Sequence, residues 1–309
     1  MSHIISNLRL PVIAAPMFLV SGPELVIAAC KAGVVGSFPV ANCRTSEDLD
    51  RWLTQITEAL TPQDGAWAVN LVVHRLNRRL ADDLALIVRY KPPLVITALG
   101  SPAEVIEAVH AYGGKVFADV STVEHARKAA ASGVDGLVLI AAGAGGHTGS
   151  ITGFAFVPAV REFWSGPLVL GGGLSTGAAI DAALTLGADY AYVGTPFIAT
   201  EESLAKDAYK AMLVEADIRD LIVTDAFTGI PNCMLRPSIV AAGIDPDAIP
   251  ASERSRIDFD DPHKGAKAWR DIWSAGQGVG AIRTVRPARQ VVDDLIDSLN
   301  AHRMRRAAA

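Results

Sequence analysis

One pattern recurs eight times along the first two thirds of this chain: a short run rich in β-branched and apolar residues, then an alanine-rich stretch of helical length. The runs are Pro11–Ala15, Val34–Phe38, Ala66–Leu71, Leu94–Ala98, Lys115–Asp119, Gly136–Ile140, Leu168–Leu170 and Tyr190–Val193. Helices are expected over Pro23–Ala32, Ser46–Leu60, Asn77–Tyr90, Pro102–Tyr112, Thr122–Ser132, near Pro158–Trp164, over Thr176–Leu186 and from about Glu201. The runs are almost continuously apolar, as parallel strands covered on both faces must be. Strands alternating with helices imply βαβ units in a parallel sheet. Pro23 and Pro102 stand where first-turn prolines belong, and Gly33, Gly133 and Gly187 stand where glycines end helices. Eight such units predict an α/β fold of the (β/α)8 TIM-barrel kind, with a doubly wound sheet as the alternative.

The rhythm stops after Leu213. Residues 1–213 are therefore read as the barrel. Residues 214–283 hold scattered prolines, a charged stretch at Glu253–Asp261 and no strand–helix alternation. They are expected to form a smaller, mostly helical subdomain over the barrel mouth. Residues 284–309 carry apolar side chains at helical spacing (Val291, Val292, Leu295, Ile296, Leu299) and are expected to return to the barrel wall as a C-terminal helix.

Composition removes whole classes of function. A chain of 309 residues, half of them hydrophobic, can bury a large core, so disorder is excluded as its main state. Three cysteines (Cys30, Cys43, Cys233) without CxxC spacing support neither a disulfide scaffold nor a zinc site, and they read as buried small hydrophobes. A formal charge of −5 with no basic stripe speaks against nucleic acid as a partner. The cluster Arg303, Arg305 and Arg306 is expected to be a solvated tail. Met1–Arg9 lacks the look of a signal peptide, and the apolar run Val12–Val20 is too short to span a bilayer. A cytoplasmic protein without membrane contact is the expectation, and whether it forms a homodimer stays open.

In barrels of this kind chemistry sits at the C-terminal ends of the strands. Those ends read Ala15-Pro16-Met17, Asn70, Thr97, Asp119, the loop Ala141–Gly149, Gly171-Gly172-Gly173 and Gly194-Thr195. Glycine-rich loops after the last two strands, each feeding a helix, suit a phosphate held by backbone N–H groups and the helix dipole. The lack of a Lys or Arg beside them suggests a cofactor such as flavin mononucleotide (FMN), and no second nucleotide-binding unit is present to favour FAD. His147 is the one histidine on a strand-end loop among glycines and a candidate base near neutral pH. The other six histidines show no metal-ligand spacing, so no metal is expected. GxSxG and GxxxxGK[ST] motifs are absent.

In order along the chain stand Ala14-Ala15-Pro16-Met17, Val69-Asn70-Leu71, Ala144-Gly145-Gly146-His147, Gly171–Gly173, Ala188-Asp189, Gly194-Thr195 and Ser274-Ala275-Gly276-Gln277-Gly278. This set resembles the nitronate monooxygenases, formerly called 2-nitropropane dioxygenases, from Pro11 to about Val285. The Ala-Gly-Gly-His segment is shared with flavin-dependent enoyl-acyl-carrier-protein reductases and NADH:quinone reductases. The resemblance implies FMN in the barrel. Met17 and Asn70 would meet the isoalloxazine, while Gly172, Gly173, Gly194 and Thr195 would hold the phosphate. Ala15, Pro16, Asp119, Gly145, Gly146 and Gln277 complete the implied cofactor-binding set, and His147 would be the catalytic base. This sequence departs from the family's usual pattern at Ile140, Thr148 and Pro196, where a polar residue, an Arg and an Arg are common. The implied activity is oxidation of alkyl nitronates, or of nitroalkanes, by O2 to a carbonyl compound and nitrite. The alternative enzyme is an FMN-dependent NAD(P)H reductase of an enoyl thioester or quinone. A barrel that only binds flavin or a partner is the non-enzymatic alternative. As a base, His147 should give a nitroalkane rate that rises with pH through the histidine's pKa, ordinarily near 6.5.

Overall fold

The computed structural model describes residue 5, residues 7–249 and residues 270–308. In chain order its strands are β1 (Val12–Ala14), β2 (Gly36–Pro39), β3 (Trp67–Val72), β4 (Leu94–Ala98), β5 (Lys115–Val120), β6 (Gly136–Ile140), β7 (Gly146–His147), β8 (Leu168–Gly171), β9 (Tyr190–Val193), β10 (Leu221–Thr224) and β11 (Asn232–Leu235). All except β7, β10 and β11 form one parallel sheet, ordered β1-β9-β8-β6-β5-β4-β3-β2. Backbone bonds from Ala14 to Val35 (2.8 Å) and from Val35 to Val12 (3.0 Å) close β1 onto β2. The expected (β/α)8 barrel is therefore the fold, and the doubly wound sheet is ruled out.

The helices are α1 (Pro23–Ala32), α2 (Ser46–Ala59), α3 (Leu80–Tyr90), α4 (Ala103–Ala111), α5 (Val123–Ala131), α6 (Gly153–Arg161), α7 (Gly177–Leu186), α8 (Thr195–Ile198), α9 (Asp207–Glu215), α10 (Arg236–Ala241) and α11 (Ala288–Ala307). Threonines start three of them: Thr45, Thr122 and Thr176 each accept a bond from the backbone N–H three residues on, the role for which short hydroxyl side chains are favoured at helix starts. Alternation along the strands divides the core in two. Ile13, Ala68, Ile96, Phe117, Val138, Val169 and Tyr190 fill the barrel interior. Val69, Val95, Val116, Leu137, Leu139 and Leu168 face outward onto Leu49, Leu53, Val105, Phe156 and Val160 of the helices.

Four local expectations need correction. Helix α6 begins at Gly153, not near Pro158, and holds Pro158 inside it. The proline's missing N–H spares only the carbonyl of Phe154, in the exposed first turn, so the helix tolerates it. The helix expected from Glu201 starts at Asp207, after the short α8, where Pro196 in the first turn pre-sets a helical φ. In the segment expected to be mostly helical, the described residues instead pair β10 with β11 antiparallel, and β11 pairs with β7. Leu221–Thr224 is a β-branched run, which favours that outcome; the charged stretch Glu253–Asp261 lies outside the described residues. Finally, the C-terminal arginines are not a free tail. Asp181 of α7 is buried, and it accepts bonds from Arg303 at 2.7 Å and Arg306 at 2.8 Å.

Helix α11 does return to the barrel wall. Val291, Val292, Leu295 and Leu299 pack with Leu25, Ala29 and Ile180, a gross burial worth roughly 6–12 kcal/mol at about 1.5–3 kcal/mol per side chain. Contact with α7 is backbone on backbone: a Cβ at Gly177 would lie 2.0 Å from the Leu299 nitrogen. The three cysteines are free and buried, as expected. Burial pushes Cys30 and Cys43 up to about 12 and Cys233 up to about 11, so none is a thiolate near neutral pH. Among the described residues no helix is long and apolar enough to cross a membrane, and no three His, Cys, Asp or Glu side chains cluster as metal ligands do.

Candidate active site

The strand ends open into a cavity of about 880 Å³, inside the size range of sites for drug-sized molecules. Ala15, Pro16, Met17, Asn70, Asp119, Gly145, Gly146, His147, Gly172, Gly173, Gly194 and Thr195 all line it. Of the expected set only Gln277 is outside. Its side chain is exposed and its backbone N–H donates to Gly143 at 2.9 Å. The Ser274–Gly278 run is thus a strap across the loop ends. Gly145 abuts the backbone of Gly276, where a Cβ would come to 2.6 Å, and Gly278 abuts Ser175. The Gly276 N–H also donates to the Thr195 hydroxyl at 2.9 Å, which fixes that side chain while leaving its O–H and the Thr195 backbone N–H for a ligand.

The loop after β1 is held from β2's end. Asn42 donates to Met17 and Ser21 carbonyls (3.1 and 2.8 Å) and accepts from Leu19 N–H at 2.8 Å. Leu19, with φ 60°, keeps its left-handed backbone under that clamp. The loop after β8 is conformationally demanding: Gly172 and Gly173 have φ of 140° and 71°, a region L side chains rarely enter. A Cβ on Gly172 would meet Ala142 O at 2.8 Å, whereas one on Gly173 would meet nothing nearer than 3.8 Å. Among the described backbone bonds outside the regular elements, none uses the N–H of Gly173, Leu174, Gly194 or Thr195. Gly194 caps α8, where Pro196 has no N–H and Phe197 donates to the Gly194 carbonyl at 2.8 Å, so the Thr195 N–H is the open donor of that turn. Two loops therefore offer open backbone donors to one place, as a phosphate group requires.

Asn70 on β3 spans the barrel floor, donating to Ile96 O and to Asp119 Oδ2, both at 3.3 Å. Asp119 Oδ1 and the Tyr192 hydroxyl are buried without hydrogen-bond partners. Burial pushes the Asp119 carboxyl up to about 8, and burial with Asp119 nearby pushes Tyr192 well above the usual phenol range. The floor is therefore uncharged at neutral pH. His147 sits on β7, clamped opposite Asn232 of β11. Burial pulls its imidazole down to about 4, so it is neutral at pH 7.

The far wall and mouth were not legible as a site. Tyr209 and Trp273 stack with centroids 5.0 Å apart, and the Tyr209 hydroxyl donates to Ser274 O at 2.5 Å. Arg44, Arg78 and Arg79 line the mouth from the loops after β2 and β3. Arg79 is committed to Asp83 (2.8 Å) and Cys43 O (2.6 Å). The clue to Tyr192 was its period-2 partner Tyr190, and the clue to the mouth was Arg44, Arg75, Arg78 and Arg79 on neighbouring loops. Of the departures, Ile140 lines the cavity, Thr148 turns its hydroxyl to Ala141 O at 3.3 Å, and Pro196 is the second residue of α8.

The family model for nitronate monooxygenase matches residues 68–298. A Mycobacterium tuberculosis protein provisionally named a monooxygenase is 34% identical over 66% of this chain and 58% of its own. A dehydrogenase from the same organism, named for a hydroxy-methyl-oxo-octahydroindene-carboxyl-CoA, is 29% identical over 74% of this chain and 64% of its own. The chain thus spans less than two thirds of the length of these relatives. Among solved structures, a nitroalkane oxidase from Streptomyces ansochromogenes is 26% identical, with a TM-score of 0.81 over 97% of this chain and 98% of that one.

Proposed function

The chain belongs to the nitronate monooxygenase family, and from that premise we propose that it oxidises alkyl nitronates, and neutral nitroalkanes, with FMN and O2 to a carbonyl compound and nitrite. The observation that carries the reading is the meeting of three features in one cavity: two open glycine loops, an uncharged floor and a neutral imidazole. The residues fit FMN. Gly172, Gly173, Gly194 and the Thr195 backbone would hold its phosphate, with Ala15, Pro16, Met17 and Asn70 beside the ring. When bound, it would accept electrons from the nitronate and pass them to dioxygen.

His147 acts on the substrate. A nitronate is already deprotonated and needs no base. A neutral nitroalkane must lose its α-proton, and the neutral ring nitrogen of His147 accepts it. Tyr209 and Trp273 line the same cavity as His147 and give it an aromatic wall. Nitrite release on aerobic mixing with ethylnitronate, beside an NADH control, tests the reading. Flavin bleached by NADH but not by nitronate refutes it.

A second reading is favoured by the mouth. Four guanidinium groups, of Arg44, Arg78, Arg79 and Arg270, line the cavity in a chain of net charge −5, more cation than a small nitronate needs, and Arg groups suit phosphates bidentately. An FMN-dependent oxidoreductase of acyl thioesters, whose CoA phosphates rest on Arg44 and Arg78, fits that feature. Flavin reduction by an acyl-CoA in the absence of oxygen, with none by nitronates, would select it.

A further inference from the structure

The floor of the cavity carries a group that neither gives nor takes a proton in the reaction above. Asp119 projects from the end of β5 into the same cavity as the glycine loops. Its Oδ2 is held by Asn70 at 3.3 Å, and its Oδ1 is buried without a partner. An ionised carboxylate left like this would forfeit its solvation with no cation in compensation. The neighbouring strands β4 and β6 present no ionisable side chain, and the groups facing Asp119 across the barrel are Asn70 of β3 and Tyr192 of β9. Higher in the cavity lie His147 of β7, Tyr209, and the mouth groups Asp83, Arg44, Arg78, Arg79, Lys206 and Arg270.

We propose that Asp119 is a positioning residue for the flavin: the isoalloxazine settles over a neutral carboxyl on the barrel floor, and ionising that carboxyl drives the flavin off. The proposal rests on the flavin reading given above. A planar ring laid over the floor strips Asp119 of its last water, which raises its proton affinity further. By linkage, whatever raises the proton affinity on binding must bind more weakly once the proton is gone. The free carboxyl titrates near 8. The phenols of Tyr192 and Tyr209 titrate higher, and His147 at about 4, so none of these three changes charge between about pH 7 and about pH 9.

The test is FMN binding to the flavin-free protein, read by quenching of flavin fluorescence. For the native chain the dissociation constant should rise about tenfold from about pH 7 to about pH 9, the change expected when only the protonated form binds. Asp119→Asn, nearly isosteric and unable to ionise, should bind within about threefold of the native chain at pH 7 and show no such rise. A level constant for the native chain, or an equal rise in Asp119→Asn, overturns the proposal. Should Asp119→Asn fail to fold, a carbon-13 titration of the native carboxyl decides: its pKa must move upward on saturation with FMN, and an unmoved pKa overturns the proposal. If the native chain binds no FMN at any pH, the flavin reading itself fails and the proposal falls with it.

Discussion

Replacing His147 by asparagine separates chemistry from architecture, because the structure isolates the imidazole from the phosphate loops. The ring is neutral near pH 7 with its conjugate acid at about 4, so essentially every molecule carries an available base. Losing a positioned base typically lowers a proton-abstraction rate by 10²–10⁴, or about 3–5 kcal/mol of barrier. His147→Asn should therefore lower kcat/KM for nitroethane by that factor, while ethylnitronate, which has no proton to give, loses less than about tenfold. Flavin content should not change, since Gly172, Gly173, Gly194 and Thr195 lie on other loops. The pH profile sharpens the test. The sequence alone places the rise in nitroalkane rate near the ordinary histidine value; burial moves it, so the profile should be level above about pH 5.5 and fall only towards pH 4. Stability follows the same group. The folded pKa lies below the unfolded one, so the unfolded chain binds the extra proton between about pH 6.5 and pH 4, and stability drops across that window by up to about 3 kcal/mol. In His147→Asn that acid-dependent part should vanish. Paired stopped-flow and urea titrations measure both. Equal losses on the two substrates in a flavin-replete variant, or an inflection near pH 6.5, would refute the reasoning.

Other expectations are independent of that one. Gly173→Val should be isolated largely without flavin, seen as a low visible-to-ultraviolet absorbance ratio, because a β-branched residue at φ 71° is strained and its side chain enters the phosphate cradle. Arg303→Ala with Arg306→Ala removes both guanidinium partners of Asp181 between α7 and α11, and because both arginines are half-exposed the pair should lower the unfolding free energy by only about 1 kcal/mol; a urea midpoint shifted as far as a buried pair would require would contradict this. If the thioester reading holds, Arg44→Glu should raise KM for an acyl-CoA about tenfold or more and leave a thioester without phosphates unaffected.

The barrel was legible because its strands are continuous apolar runs whose neighbours in the sheet are, with one crossing, their neighbours in the chain. Reading strand ends and the glycine motifs then gave a set of which all but one residue lines the cavity, although its far wall and mouth were missed. Gln277 misled because a sequence motif reports proximity to a site without saying which atoms serve it; here the glycines on either side of Gln277 are what the loops need. The cap was illegible for the opposite reason. Gly146–His147 is two residues long and finds its partner at Asn232–Cys233, a pairing with no periodic signature. Asp181 and the arginines of α11 likewise meet only after the helix has closed the ring. The titration behaviour of His147 and Asp119 comes from burial, which sequence spacing does not encode.

That two-residue strand bears on how such proteins can be recombined. The backbone of His147 belongs to the same ladder as β10 and β11, while the strap Ser274–Gly278 keys into the loops after β6, β8 and β9. A chimera that borrows residues 221–283 from a relative to change substrate choice would therefore import the orientation of His147 as well. Productive crossover points should lie outside that stretch or include residues 141–149 with it, and libraries that cut between the two should yield folded barrels in which His147 is misaimed.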